Sequence, residues 1–325
     1  MSEFRWGILG SGGIAKKFAL DLSNLENHTV AAVGSRTKSA ADDFASQFPG
    51  CASFGSYEEL VNADVDAIYV ATPHPMHAAN AMLALQAGKP VLCEKAFTIN
   101  EEQARTLIEY SREHKIPLME AMWTRFLPHI QKIQEIVQSG ELGRIHSVIA
   151  DHGQYLPPER ALRLWEPELG GGALLDLGIY SLTIAHLILG YPESITAVAT
   201  LTDQDVDLQT SMTLKYSNGA HALLSCTMAA RTSITAVIAG DKARIEVDAS
   251  FYAPTSFRVI TRDGVTTEYP NEYKGHGLRE EAAEFARIVR AGEIESPIMK
   301  HETTLELMRI MDVVRAQVGV KYPQE

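Results

Sequence analysis

Asp176 and Tyr180 stand four residues apart in Gly170-Gly171-Gly172-Ala173-Leu174-Leu175-Asp176-Leu177-Gly178-Ile179-Tyr180, so a helix there sets a carboxylate and a phenol on one otherwise apolar face. Lys95 closes the apolar run Val91 to Glu94. A phenol titrates near pH 10, and an ammonium beside it lowers that by roughly one to three units, which brings proton exchange at a hydroxyl within reach of neutral pH. The same residue types equally suit a hydrogen-bonded Asp and Tyr beside a solvated Lys.

A second chemistry is written at the N-terminus. Gly10, Gly12 and Ala15 form G-x-G-x-x-A directly after an apolar strand, with Gly13 and Ile14 between them. Gly10 permits a tight turn, Gly12 a close approach of backbone to pyrophosphate, and Ala15 close packing of helix on strand. An acid ending the second strand would select NAD, but the chain reads Ser35-Arg36-Thr37-Lys38, two hydroxyls and two cations suited to a 2′-phosphate. NADP is therefore the expected cofactor. Thr72, Pro73 and His74 end another strand at the edge where open α/β sheets bind ligands, and Glu94 with Lys95 ends the next. His74 and His77 share H-x-x-H spacing without an evident third ligand, so no metal is expected.

These groups need a scaffold. Apolar runs at 5–9, 29–35, 67–71, 90–94 and 118–122 alternate with helical patterns at about 13–24, 38–48, 76–87 and 100–114, the form of βαβ units around a doubly wound parallel sheet. A helix over about 127–139, a strand near 144–151 and a helix over about 173–189 follow. Strand-like segments then succeed one another near 195–202, 209–216, 220–228, 232–239, 243–247 and 257–262, which predicts a largely antiparallel open sheet. Helices at about 278–291 and 302–318 end the chain. The expected organisation is a Rossmann domain over 1–122 and an α/β substrate-binding and oligomerisation domain over 123–325. In 325 residues the net charge of −12, with 29 Lys and Arg against 41 Asp and Glu, speaks against nucleic acid as partner. Three scattered cysteines, Cys51, Cys93 and Cys226, give no disulfide framework and suit a reducing cytoplasm. No export signal is read at the N-terminus, and no membrane span is expected.

Together the glycine loop, Ala71-Thr72-Pro73 with His77, Glu94-Lys95 and the run from Gly170 to Tyr180 resemble the Gfo/Idh/MocA oxidoreductases over almost the whole chain. Trp6-Gly7-Ile8, Gly55 to Leu60, Val91 to Lys95 and Met119 to Phe126 look like the subfamily that oxidises trans-dihydrodiols and aldopyranoses with NADP. That resemblance implies that Lys95 helps position nicotinamide and substrate, that Tyr180 is the acid/base, and that Asp176 orients substrate hydroxyls. The family pattern is Glu-Lys-Pro where this chain has Ala96. A non-proline cis peptide costs about 2.5 to 4 kcal/mol, so a turn built on cis proline would take another path here. Trp123, Arg125, Phe126 and Trp165 are candidate substrate contacts, Trp being equally suited to the core. The expected function is NADP-dependent hydride transfer to or from a secondary alcohol or hemiacetal carbon of a small polyhydroxylated or diol substrate. A non-enzymatic NADP-binding regulator and a redox-neutral nicotinamide-dependent lyase or glycosidase are the alternatives. Assembly as a homodimer or dimer of dimers is expected, since the family pairs such sheets.

Overall fold

The computed structural model describes residues 2–325 and divides into two compact units, Met1–Trp123 with Gly275–Leu305, and Thr124–Lys274 with Glu306–Glu325. The first begins β1 (Phe4–Leu9), α1 (Gly13–Leu22), β2 (His28–Gly34), α2 (Lys38–Ala45), β3 (Ala52–Phe54) and α3 (Tyr57–Val61). It continues β4 (Ala67–Val70), α4 (His77–Gln86), β5 (Val91–Glu94), α5 (Glu101–His114) and β6 (Leu118–Ala121). All strands are parallel in the order β3-β2-β1-β4-β5-β6, the doubly wound arrangement, with its ligand crevice where β1 and β4 diverge. Strands covered on both faces must be apolar throughout, and every residue of β4 and β5 is buried. Phe18 of α1 stacks on Tyr69 of β4 at 3.7 Å between ring centroids. Thr37, Ser56 and Asn100 cap α2, α3 and α5 by accepting from backbone N–H groups.

The second unit holds α6 (Pro128–Gln138), β7 (Ile145–Gly153), α7 (Pro158–Ala161), α8 (Ile179–Leu189), β8 (Ser194–Leu201), β9 (Asp207–Lys215) and β10 (His221–Thr227). β11 (Ala236–Gly240), β12 (Ala243–Val247), β13 (Phe257–Thr261) and β14 (Thr266–Tyr269) complete an eight-stranded sheet ordered β14-β13-β12-β11-β7-β10-β9-β8. Every neighbouring pair is antiparallel except β7 with β10. α8 is buried from Ile179 to His186. Contrary to expectation, Pro167–Leu189 is long and apolar enough to cross a membrane, but 78% of its apolar stretch is buried inside the protein, where it is core.

The expected boundary at 122 misses one excursion. α9 (Arg279–Ala291) and the start of α10 (His301–Val318) belong to the first unit, not the second. Asp21 of α1 holds them there: its carboxylate accepts from the backbone N–H groups of His276, Gly277, Leu278 and Arg279 at 2.8–3.1 Å. Phe285 packs near Trp6, ring centroids 5.9 Å apart, and both are fully buried.

Candidate active site

The first unit gathers its candidates at the carboxyl ends of its strands. Gly10 has φ +108°, and a Cβ there would stand 2.8 Å from the Ala71 carbonyl oxygen, so the ends of β1 and β4 run this close only with glycine. Gly12 caps α1 without a side-chain hydrogen bond, and a Cβ on Gly12 or Gly13 would meet nothing within 4 Å. Unclaimed N–H groups beside open space fit a pyrophosphate. Ile14 and the buried Ala15 carry the helix on from there. Ser11 Oγ lies 3.1 Å from Ser35 Oγ, which joins the loop to the end of β2.

The four residues 35–38 divide their work. Ser35 is buried and Arg36 exposed, its charge acting on Tyr57, whose pKa burial nevertheless raises. Thr37 caps α2, and Lys38 pairs with Asp42 while donating to Ser53 Oγ at 2.8 Å.

Past β4, Thr72 and His74 are buried and Pro73 is exposed. Asn80 donates to Thr72 Oγ1, and the His77 ring spans two carbonyls, Nε2 at 2.7 Å from Thr72 O and Nδ1 at 2.9 Å from Ala96 O. Burial lowers the His77 pKa against the pull of those carbonyls. The His74 and His77 rings meet edge to face. Among the described residues no group of three His, Cys, Asp or Glu side chains is placed to hold a metal ion.

The Lys95–Ala96 peptide bond is cis, the geometry that the alanine spoke against. Each residue of this turn is gripped. Glu94 Oε2 accepts from Lys95 N–H at 3.2 Å, His77 meets Ala96 O, and Glu120 Oε1 accepts from Phe97 N–H at 3.2 Å. Glu94 Oε1 also accepts a hydrogen bond from the Tyr69 hydroxyl, and Glu120 Oε2 accepts from Thr304 Oγ1 at 3.0 Å. Glu281 of α9 is fully buried, and neither of its oxygens has a hydrogen-bond partner. Burial and the nearby Glu94, Asp21 and Glu120 charges push its pKa well above the carboxylate range. Trp123 is half-buried at the end of this unit.

In the second unit, Leu174–Gly178 forms a turn of π-helix leading into α8. Its entry is fixed by Asp207, whose Oδ2 accepts from Leu174 N–H and Thr210 Oγ1, each at 2.8 Å, while Oδ1 lies against Gly172 at φ +103°. Burial raises the Asp207 pKa to about 7 in spite of those hydrogen bonds. Asp176 is half-buried and ion-paired with Arg163 at 2.9 Å. Tyr180 is buried in an aromatic cluster, ring centroids 4.6 Å from Tyr252 and 5.3 Å from His152. His152 in turn stacks on Tyr252 at 4.3 Å, and Gln154 donates to His152 Nε2 at 2.9 Å. Tyr252 and Gln154 wall a cavity of about 250 Å³.

Sequence reasoning missed His152, Gln154 and Tyr252, which belong to no motif. His152 lies near the end of β7, Gln154 just past it and Tyr252 between β12 and β13, so no spacing in the sequence joins the three. Of the aromatic candidates, Trp165 donates to Leu156 O at 2.9 Å and packs on the cluster of Leu164, Ala173 and Leu177, while Phe126 is buried. Arg125 is buried as well. After burial, its charge lowers the pKa of His186, which is hydrogen-bonded to Glu306.

A strand order and a glycine loop made for a dinucleotide put the chain in the class of Rossmann-type oxidoreductases. Residues 4–122 match the model of the oxidoreductase family with NAD-binding Rossmann fold, and residues 130–246 that of the GFO/IDH/MocA C-terminal domain. The chain belongs to the GFO/IDH/MocA family. It is 38% identical over 335 residues to trans-1,2-dihydrobenzene-1,2-diol dehydrogenase of Danio rerio, covering 99% of this chain and 98% of the relative. It is 36% identical over 372 residues to D-xylose 1-dehydrogenase (NADP(+)) of Hypocrea jecorina, covering 98% and 93%. Among solved structures it is similar to KijD10, a 3-ketoreductase from Actinomadura kijaniata in complex with NADP and TDP-benzene, with TM-score 0.88, 29% identity and 99% of each chain covered.

Proposed function

We propose that this enzyme moves a hydride between NADP and a secondary alcohol or hemiacetal carbon of a sugar or trans-diol. The observation that carries the reading is the end-to-end likeness to relatives named as dihydrodiol and NADP-dependent xylose dehydrogenases, in a chain that carries Lys95, Asp176 and Tyr180. The cofactor, when bound, supplies the hydride acceptor or donor. Gly10, Gly12, Gly13, Ile14 and Ala15 would hold its pyrophosphate, Ser35 and Arg36 its 2′-phosphate, and Thr72, Pro73 and His74 its nicotinamide half. Tyr180 exchanges the hydroxyl proton of the substrate. Lys95 orients the reacting groups from its gripped turn, and Asp176, steadied by Arg163, accepts a hydrogen bond from a substrate hydroxyl. Residues 123–274 then supply the substrate side and the oligomer contact.

The outward sheet face leaves Ile149, Val198 and Leu223 exposed at 47%, 67% and 47%, and a homodimer would cover them. Free Cys51, Cys93 and Cys226 suit a reducing cytoplasm. NADP reduction measured on a panel of aldopyranoses, inositols and trans-diols tests the activity. Tyr180→Phe should lower kcat by about 10² to 10⁴ with NADP binding nearly intact. Near wild-type turnover in that variant would assign the base elsewhere, and a substrate consumed without NADPH accumulating would favour the redox-neutral reading.

A further inference from the structure

The cavity beside Tyr252 carries a charge pattern unsuited to a neutral ligand. Two cations line it, Arg160 and Arg231, and no carboxylate does. Among the described residues neither guanidinium makes an ion pair or a hydrogen bond. By contrast, Arg163, Arg258, Arg287 and Arg315 are ion-paired. Asp151, which anchors the residues just after Arg231, is already engaged: it accepts from the N–H groups of Ile234 and Thr235 at 2.8 and 3.3 Å and from Ser233 Oγ at 3.2 Å. The loop bearing Arg231 is tied down at Thr232, whose N–H donates to Gly153 O and whose Oγ1 accepts from Gly153 N–H. Its backbone is therefore fixed while its charge stays available. The remaining wall offers neutral partners, the Gln154 amide and the Tyr252 hydroxyl, and the volume of about 250 Å³ suits one monosaccharide-sized ligand.

We propose that this cavity selects substrates bearing an acidic group, a carboxylate or a phosphate on the sugar or diol, held by Arg160 and Arg231 with the reacting hydroxyls toward Tyr180. Guanidinium forks match either oxyanion, and charge-assisted hydrogen bonds are the stronger kind. Both side chains are exposed, so the two together are expected to contribute about a tenfold preference rather than the hundredfold of a buried pair.

The inference rests on the proposed activity, and the test separates the two. With NADP saturating, kcat/KM is measured for D-xylose, D-glucuronate and D-glucose 6-phosphate on the wild type and on the Arg160→Gln/Arg231→Gln double variant. The wild type should prefer one of the acids over xylose by at least about tenfold at low ionic strength, and added NaCl should erode that preference. The acid that wins names the anion. The double variant should cut the acid-to-xylose ratio at least about tenfold, whereas Arg262→Gln, which removes an exposed cation outside the cavity, should leave the ratio in place. Calorimetric binding of the same acids to both proteins in the presence of NADP gives a readout that needs no turnover. Acid binding that is lost in the double variant upholds the site even if no oxidation occurs, which would sink only the proposed activity. Turnover of xylose at or above the rate of both acids, with a ratio the double variant leaves unmoved, overturns the site and spares the activity.

Discussion

Asp207 offers the most direct check on the local physics of the second unit. Its carboxyl is fully buried, and burial lifts its pKa from 3.8 to about 7. The fold thus favours the protonated form more than water does. The sign follows: a group with a raised folded-state pKa contributes stability that is fully present below pH 3.8 and is lost as pH climbs through about 7. A rise of about 3 units at 1.36 kcal/mol each makes the whole loss about 4 kcal/mol, of which about 2 to 3 kcal/mol falls between pH 5 and pH 8. Asp207→Asn removes the ionisation and keeps an oxygen for Leu174 N–H and the Thr210 hydroxyl. Urea denaturation of both proteins at half-unit pH steps gives the difference directly. The variant should gain on the wild type by about 2 to 3 kcal/mol from pH 5 to pH 8 and level off above that. A flat difference would mean that Asp207 is ionised in the fold at neutral pH and that burial does not dominate there.

Further outcomes are expected in the first unit. Arg36→Asp should weaken NADP binding about tenfold to a hundredfold and spare NAD, because a contact to the 2′-phosphate becomes a repulsion; fluorescence titration with both cofactors reads this. Gly10→Ala forces a side chain onto the Ala71 carbonyl at φ +108° and should abolish measurable cofactor binding. Glu120→Ala frees the Phe97 N–H and should lower kcat by about 10² with little change in the KM for NADP, while Glu120→Gln, which still offers an acceptor, should restore most of it. Equal kinetics for the two variants would remove Glu120 from the support of Lys95.

Much of this was readable from the chain because it obeys local rules. Parallel strands buried on both faces leave unbroken apolar runs, and Gly10 to Ala15 announces its turn by spacing. β3 and β14 escaped because each is a short edge strand whose exposed residues, such as Thr266 and Glu268, give no apolar alternation. The parallel pairing of β7 with β10 escaped because alternation within a strand does not encode its neighbour's direction. Among the site candidates, spacing singled out Asp176 and Tyr180 but could not point to His152 or Tyr252, which meet Tyr180 only through tertiary packing. The basic run 35–38 shows the converse limit: residue type suggested one common task, and local partners gave Thr37 a cap and Lys38 an ion pair.

The clasp of Asp21 on residues 276–279 makes the dinucleotide-binding unit a discontinuous stretch of the gene product. Its first 123 residues emerge from the ribosome some 150 residues before the segment that covers Trp6 and gives the Asp21 carboxylate four N–H donors. An expressed fragment ending at Trp123 therefore lacks part of its own core and needs 275–305 added in trans or spliced on behind β6. Residues 124–274, most of the second unit, lie between the two halves and must be spooled out before the first can close. Domain grafting in this enzyme thus has natural cut points at 123/124 and 274/275, while the third boundary, at 305/306, falls inside α10 and binds the two units through one helix.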